Sequence, residues 1–408
     1  MNVLLINQPL NNRGDEAAHK ALIRTLIKEY PNINVNVLFT DADNDSIRQF
    51  QVDDTRVNYI NIESNHRFIF NLLATYGTLL RLPFLWYLNS TIRNLIKIYK
   101  NADYVICAPG GICMGGFQNW KHLFFLYITK FTKKTLFYYG RSFGPFPTKT
   151  FKNKQFKKRS LEMINYFRFL SIRDKKTEDF AKSLNLKYYS TVDTAFLDSP
   201  IVNIPKEIQN QIGNDYIVCV PNLLIWHYYY KNRLTKEKVS AFFEEILKIL
   251  LIKYPSEKIV LLPQTFNYKN DVGDDICFFK ELKSVLDNHR IIVIPDTYSS
   301  DVQQSIIAKS KLMVGARYHS VVFAINNNVP FIALSYEHKI SGLIQHLDAN
   351  IFLIDISTGL ETPENIAKKI SEFKNLLSII RLDNTLKYKA KVIAQGCFQQ
   401  MCTLLNRP

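Results

Sequence analysis

The amino-acid sequence predicts an α/β protein made of two Rossmann-like, doubly wound domains facing each other across a cleft. Three observations carry this. Short apolar runs of strand length alternate with stretches of helical periodicity, the rhythm of βαβ units and parallel sheets. The rhythm is interrupted by the polar, proline-containing stretch LDSPIVNIPKEIQNQIGND and then resumes. A chain of 408 residues also exceeds what one ordinary core serves and suits two domains of roughly 200 residues.

Taken in order, NVLLIN reads as a first strand, residues 15–30 as a helix and INVNVLF as the next strand. ADYVICAPGG, KTLFYYGRSFGPF, RFLSIRD and KYYSTVDTAF continue the pattern and complete a domain over 1–200. The second domain, 214–383, contains YIVCVPN, KIVLLPQTF, RIIVIPD, KLMVGAR, PFIALSY and NIFLIDI as strands, with helices over 236–253 and 301–308. A last helix within 384–408 is expected to return to the first domain. In open sheets of this kind ligands bind beyond the carboxyl ends of the strands.

The composition is 47% hydrophobic and 22% charged, which excludes a disordered or fibrous chain. A net charge of +16 points to an anionic partner. The excess is uneven: residues 104–161 hold no Asp or Glu and eleven Lys or Arg, so one face of the first domain is expected to be cationic. No base-stacking module accompanies the charge, and nucleic acid is not expected as a partner. The six cysteines lie among apolar neighbours without CxxC or Cys/His spacing, which predicts reduced thiols and no metal site. MNVLLINQPL has no basic n-region and is expected to be a strand of a cytoplasmic protein rather than a signal peptide.

Residues 68–88, FIFNLLATYGTLLRLPFLWYL, are long enough to span a bilayer, but Asn71, Arg81 and Pro83 argue against it. Two readings remain open: ordinary core helices, or helices resting on anionic lipid at the inner face of the cytoplasmic membrane.

Five stretches carry candidate chemistry. In NNRGDEA, directly after a strand, Gly14 permits a tight turn, Asp15 suits an N-cap, and Asn12 with the free N–H groups faces an anion or a sugar hydroxyl; a merely capped βα turn is the alternative. The GxGxxG fingerprint is absent, which argues against a nicotinamide cofactor. In APGGICMGG, Gly110 and Gly111 allow backbone to approach a ligand, and Arg141 sits between glycines in YYGRSFGPF. Arg173, in SIRDKKTEDFAK, is placed either to grip a carboxylate or phosphate or to pair with the helix-capping Asp174. In GARYHSVVFAINNNVPFIALSYEHK, Arg317 and His319 share a strand end and a helix start near 320, where an anion is held and a proton can be delivered. Glu337 is a candidate base and Lys339 a candidate phosphate ligand, with an exposed helix cap as the plainer reading.

The order of these motifs resembles the polysaccharide pyruvyl transferase family. NNRGDEA, APGG, YGRSFGPF, SIRD, VDTAF and the G-x-R-x-H block with its downstream V-P and Y-x-x-K-x-x-G carry the resemblance over 11–343. Tyr318 stands where the family commonly has an aliphatic residue, and Arg141 where it often has Gln. The resemblance implies a GT-B-like fold and transfer of a pyruvyl group from phosphoenolpyruvate onto two hydroxyls of a sugar, with no other cofactor and no metal. By position it makes Arg317, His319 and Arg173 donor residues, and it implies a saccharide acceptor carried on an undecaprenyl diphosphate lipid. Phosphoenolpyruvate, with a carboxylate and a phosphate, calls for two or three cations, for which Arg317, Arg173 and Lys339 are the candidates. His319 is the expected proton donor, Asp15 or Glu337 the base, and Asn12, Gly14, Gly110, Gly111 and Arg141 the acceptor contacts. The competing readings are a glycosyltransferase using a nucleotide sugar and a non-catalytic subunit that binds the lipid carrier.

Overall fold

The computed structural model describes residues 1–406 except 11, 228, 229, 231, 267–273, 296 and 297. Asn11, which opens the NNRGDEA motif, and Asp296, which closes RIIVIPD, lie outside the described residues. The chain divides into two compact units, one of Met1–Leu10, Ala18–Asp198 and Val392–Pro408, the other of Asn11–Ala17 and Ser199–Lys391. The seven-residue segment 11–17, which the sequence rhythm assigns to the first domain, is therefore counted with the second unit.

The strands of the first unit are β1 (Asn2–Ile6), β2 (Asn34–Thr40), β3 (Val57–Ile62), β4 (Tyr104–Cys107), β5 (Gly110–Met114), β6 (Thr135–Tyr138), β7 (Arg141–Phe143), β8 (Phe169–Ile172) and β9 (Tyr189–Ser190). Seven of them form a sheet of order β3-β2-β1-β4-β6-β8-β9, while β5 and β7 make a separate two-stranded ribbon. Every pairing is parallel. Covered on both faces, such strands need continuous apolar runs. Val3 to Ile6 and Val105 to Cys107 are accordingly buried. The expected strand in KYYSTVDTAF shrinks to two residues, because Asp193 caps a 3-10 turn, Thr194–Leu197, by accepting from Ala195 N at 3.0 Å.

The second unit contains β10 (Tyr216–Val220), β11 (Lys258–Leu261), β12 (Ile291–Val293), β13 (Met313–Gly315), β14 (Phe331–Ser335) and β15 (Leu353–Asp355). Their order is β12-β11-β10-β13-β14-β15, all parallel. Chain order reverses between β10 and β13, and between β1 and β4 in the first unit; such switch points open a crevice at the strand ends. The helix Lys236–Lys253 has the bounds its periodicity predicts and buries Val239, Phe242, Phe243, Ile246, Leu247 and Leu250 along one face. Each of its buried Phe side chains is worth about 2–3 kcal/mol of transfer free energy.

Residues 68–88 form the helix Arg67–Leu80 and a 3-10 helix, Pro83–Leu88. Gly77 lets the two close on each other, since a Cβ there would lie 2.2 Å from Trp86 Nε1. Trp86 is buried and packs edge-on to Phe124 and Phe131 at 5.3 and 5.5 Å. No helix among the described residues is long and apolar enough to cross a membrane. The last helix, Thr385–Leu405, sets Cys397 and Cys402 in the first unit, where Tyr30 Oη donates to Cys402 O at 3.3 Å. None of the six cysteines forms a disulfide.

Candidate active site

In the second unit the strand ends around the β10/β13 switch point collect most of the candidate residues. Gly315 ends β13, and its lack of a side chain leaves room for Ser320 Oγ, which a Cβ would meet at 2.1 Å. That hydroxyl donates to Arg317 O at 2.6 Å and closes the turn into the helix Tyr318–Asn326, of which Arg317 is the N-cap. The helix starts two residues earlier than its apolar face suggests, so His319 lies in the first turn.

Arg317 is 7% exposed and its guanidinium is clamped. Nε donates to Asp275 Oδ1 at 3.1 Å and Nη2 donates to the same oxygen. Asp275 Oδ2 in turn accepts from the backbone N–H groups of Gln264 and Thr265 at 2.9 and 3.0 Å, beyond the end of β11. Nη1 carries no acceptor among the described residues. The Trp226 indole covers the guanidinium at 5.4 Å and is itself fixed by Nε1–H donating to Asn222 Oδ1 at 2.9 Å. Burial opposes the Arg317 charge, but the Asp275 carboxylate outweighs it and holds the guanidinium pKa above its ordinary value.

His319 meets the start of the helix Arg13–Glu29. A Cβ on Gly14 would lie 1.8 Å from both Cγ and Nδ1 of His319, so the glycine serves close approach to the imidazole rather than a tight turn. The cap is Asn12, not Asp15: Asn12 Oδ1 accepts from Gly14 N at 2.8 Å and Asp15 N at 3.1 Å. Asp15 is half-buried on the same turn. Arg13 and Glu16, both fully buried, join this turn to its surroundings. Arg13 donates to Glu16 Oε2 at 3.0 Å, its backbone N–H donates to Gln264 O at 3.0 Å, and its guanidinium lies 4.6 Å from the Phe266 ring. Glu16 Oε1 accepts from both N–H and Oγ–H of Ser300, at the start of the helix Ser300–Ala308.

Glu337 follows β14. Its carboxylate accepts from Tyr336 Oη at 3.1 Å and lies 3.3 Å from Lys339 Nζ and 3.9 Å from His227 Nε2. Burial pushes its pKa up, but Lys339, His338 and His227 outweigh burial and leave it below the usual carboxylate value. His227 shifts down because burial disfavours its charged form more than Glu337 supports it.

The remaining candidates belong to the first unit. Arg141 is 2% exposed, and its donors are spent on the protein: Asn7 O at 2.9 Å, Ala108 O at 2.8 Å, Gly111 O at 3.1 Å and Cys113 Sγ at 3.2 Å. It ties the ends of β1 and β4 to the Gly110–Gly111 loop instead of facing solvent. At the start of β5, Gly110 has φ +157° and a Cβ there would lie 2.7 Å from Pro9, whereas a Cβ on Gly111 would meet nothing within 4 Å. Arg173 pairs with Asp193, with both side chains buried. Its neighbour Asp174 caps the next helix through Thr177 N and accepts from Ser142 Oγ. Arg173 thus pairs with Asp193 rather than with the helix-capping Asp174, and the D-x-A-F segment supplies its partner.

One pattern runs through these contacts. Arg317, Arg173 and Lys339, expected as free cations for an anionic ligand, each stand against a carboxylate, as does Arg13. The carboxylates hold the cations in place. Sequence reasoning missed Asp275, Glu16, Arg13, Trp226 and His227. The available signals were an acid opening an apolar helix in DDICFF, and the two charged residues flanking Gly14 and Asp15 in the same motif.

A family model described as polysaccharide pyruvyl transferase matches residues 12–338. Among solved structures, UDP-GlcNAc 2-epimerase from Neisseria meningitidis bound to UDP-GlcNAc superposes with a TM-score of 0.61 at 13% identity, covering 99% of this chain and 100% of that one. The UDP-GlcNAc 2-epimerase of Methanocaldococcus jannaschii gives 0.55 at 14% identity over 97% and 99% of the two chains. A UGT transferase from Siraitia grosvenorii in complex with UDP gives 0.55 at 10% identity over 98% of each. Likeness at these identities shows the fold alone: a mixed α/β, GT-B-class chain with parallel sheets.

Proposed function

The chain belongs to the polysaccharide pyruvyl transferase family, and on that premise we propose that it moves a pyruvyl group from phosphoenolpyruvate onto two hydroxyls of a lipid-diphosphate-linked saccharide. The donor's methylene carbon takes a proton and becomes a methyl group, which leaves C2 electron-poor. One sugar hydroxyl adds to C2 and gives up its proton. The C2–O bond to phosphate then breaks, the second hydroxyl closes the ring, and inorganic phosphate leaves with its electron pair. The net products are a cyclic ketal and phosphate, with atoms and charge balanced.

The observation that supports this most directly is the pairing of an imidazole with a clamped guanidinium, two residues apart at one strand end. Arg317 Nη1 and the N–H groups at the start of the helix Tyr318–Asn326 suit a carboxylate or phosphate. His319, seated against the Gly14 turn, is the proton donor to the methylene carbon. Asp15 on that turn and the ionised Glu337 are the bases for the sugar hydroxyls, and Lys339 supports Glu337. Arg141 and Arg173, bonded within the first unit, are taken as positioning residues there.

The test is incubation with phosphoenolpyruvate and lipid-diphosphate-linked saccharides, read by mass spectrometry for a gain of about 70 Da, the ketal increment, with release of phosphate. Arg317→Ala and His319→Ala should each abolish the product in protein that is still folded by circular dichroism, with Arg317→Ala melting lower because Asp275 loses its buried partner. Stabilisation by UDP-N-acetylglucosamine with none by phosphoenolpyruvate would instead assign the site to a nucleotide sugar.

A further inference from the structure

The helix Arg67–Leu80 and the 3-10 helix Pro83–Leu88 turn an unusual amount of apolar side chain outward. Ile69, Leu72, Tyr76 and Leu80 recur at helical spacing and are 42–54% exposed, and Phe84 and Leu88 extend the strip at 62% and 70%. The segment is folded, not frayed. Phe70, Ala74 and Gly77 pack inward on the opposite face, and Trp86 pins the 3-10 helix. Contiguous exposed apolar surface of this kind marks an interaction site.

Charge identifies the occupant. Between Glu63 and Glu162 the only acidic residue is Asp103, against sixteen Lys and Arg. Arg67 opens the strip. Arg93 donates to Tyr87 O beside it, and Lys97 and Lys100 follow on the exposed face of the helix Ser90–Asn101. A two-fold contact between copies would set these cations against themselves, whereas an anionic lipid surface complements them. With 14 residues the helix reaches about 21 Å, short of the roughly 30 Å hydrocarbon core, so it lies in the interface instead of crossing it.

We propose that the strip from Ile69 to Leu88 with its basic border docks the first unit on an anionic membrane surface. The proposal is independent of the reaction above and is tested without donor or acceptor. Purified protein is sedimented with vesicles of equal parts phosphatidylglycerol and phosphatidylcholine, and with vesicles of phosphatidylcholine alone. Binding to the anionic vesicles, weakened at least tenfold by about 0.5 M salt, is expected. The combined variant Leu72→Ser, Leu80→Ser, Phe84→Ser, Leu88→Ser should lose it while keeping the wild-type melting temperature. Arg67→Gln, Arg93→Gln, Lys97→Gln tests the border with the apolar strip intact and should weaken binding to the anionic vesicles selectively. Wild-type protein that stays in the supernatant, or a serine variant that still sediments, overturns the proposal. So does a wild-type dimer that the serine variant converts to a monomer without any vesicle binding, which would assign the face to a second copy.

Discussion

Gly14 and His319 touch so closely that a methyl group on residue 14 would lie 1.8 Å from the imidazole Cγ. Real contacts of that length do not exist, so one of the two must move in any substituted chain. Gly14→Ala should displace the His319 ring or lift the first helical turn off it. We expect at least a hundredfold loss of kcat, about 2.7 kcal/mol of transition-state free energy, with a much smaller change in KM for phosphoenolpyruvate. Steady-state kinetics checks the split; a rise in KM at unchanged kcat would place Gly14 in ground-state binding instead.

Asp275 is a positioning residue for Arg317. Its two oxygens divide their work, Oδ1 on the guanidinium and Oδ2 on the N–H groups of Gln264 and Thr265. Asp275→Asn leaves a donor where an acceptor is needed on one side or the other. Affinity for phosphoenolpyruvate should fall about tenfold or more, some 1.4 kcal/mol, by calorimetric titration. Arg317→Lys should match that loss, because an ammonium replaces neither the forked contact nor Nη1.

Arg141 holds three backbone carbonyls and two thiols in the first unit. Arg141→Met strands those buried acceptors, each worth about 1–3 kcal/mol when unsatisfied. The variant should unfold at distinctly lower denaturant, whereas calorimetric affinity for phosphoenolpyruvate below that concentration should be unchanged.

His19 sets the acid limb of stability. It is wholly buried against Phe50, its ring nitrogens have no partner among the described residues, and burial, aided by Lys20, pushes its pKa down to about 3. The unfolded chain takes up a proton below pH 6.5 while the folded chain does not, so this contribution is complete above 6.5. It is lost as pH falls from 6.5 toward 3, at about 1.4 kcal/mol per pH unit. His19→Leu should be neutral or stabilising at pH 7 and should flatten the decline between pH 6 and 4 in urea unfolding.

Much of the fold was legible because buried parallel strands leave unbroken apolar runs. YIVCV, KIVL and FIALS could be read directly, and the helix Lys236–Lys253 from its spacing. The strand Val57–Ile62 escaped notice, since its alternation of Asn with Val, Tyr and Ile lacks that run. At the site, Arg317, His319 and Gly14 stood out by motif, but the reason for Gly14 did not: a contact across 305 positions of sequence has no local signal. Asp275 was hidden for the same reason, 42 positions from Arg317. A carboxylate's value as a clamp depends on which cation the fold brings to it, and sequence spacing carries no information about that.

The matching of Arg317, Arg173 and Lys339 with carboxylates bears on selectivity. Because long-range attraction is largely cancelled locally, a small anion gains little merely by being negative. It must present oxygens at the spacing of Arg317 Nη1 and the helix-opening amides. Under the proposed reaction, free phosphate and sulfate, which offer one tetrahedral group and no second anchor, should be weak competitors even in large excess, so that the released ion would not stall turnover.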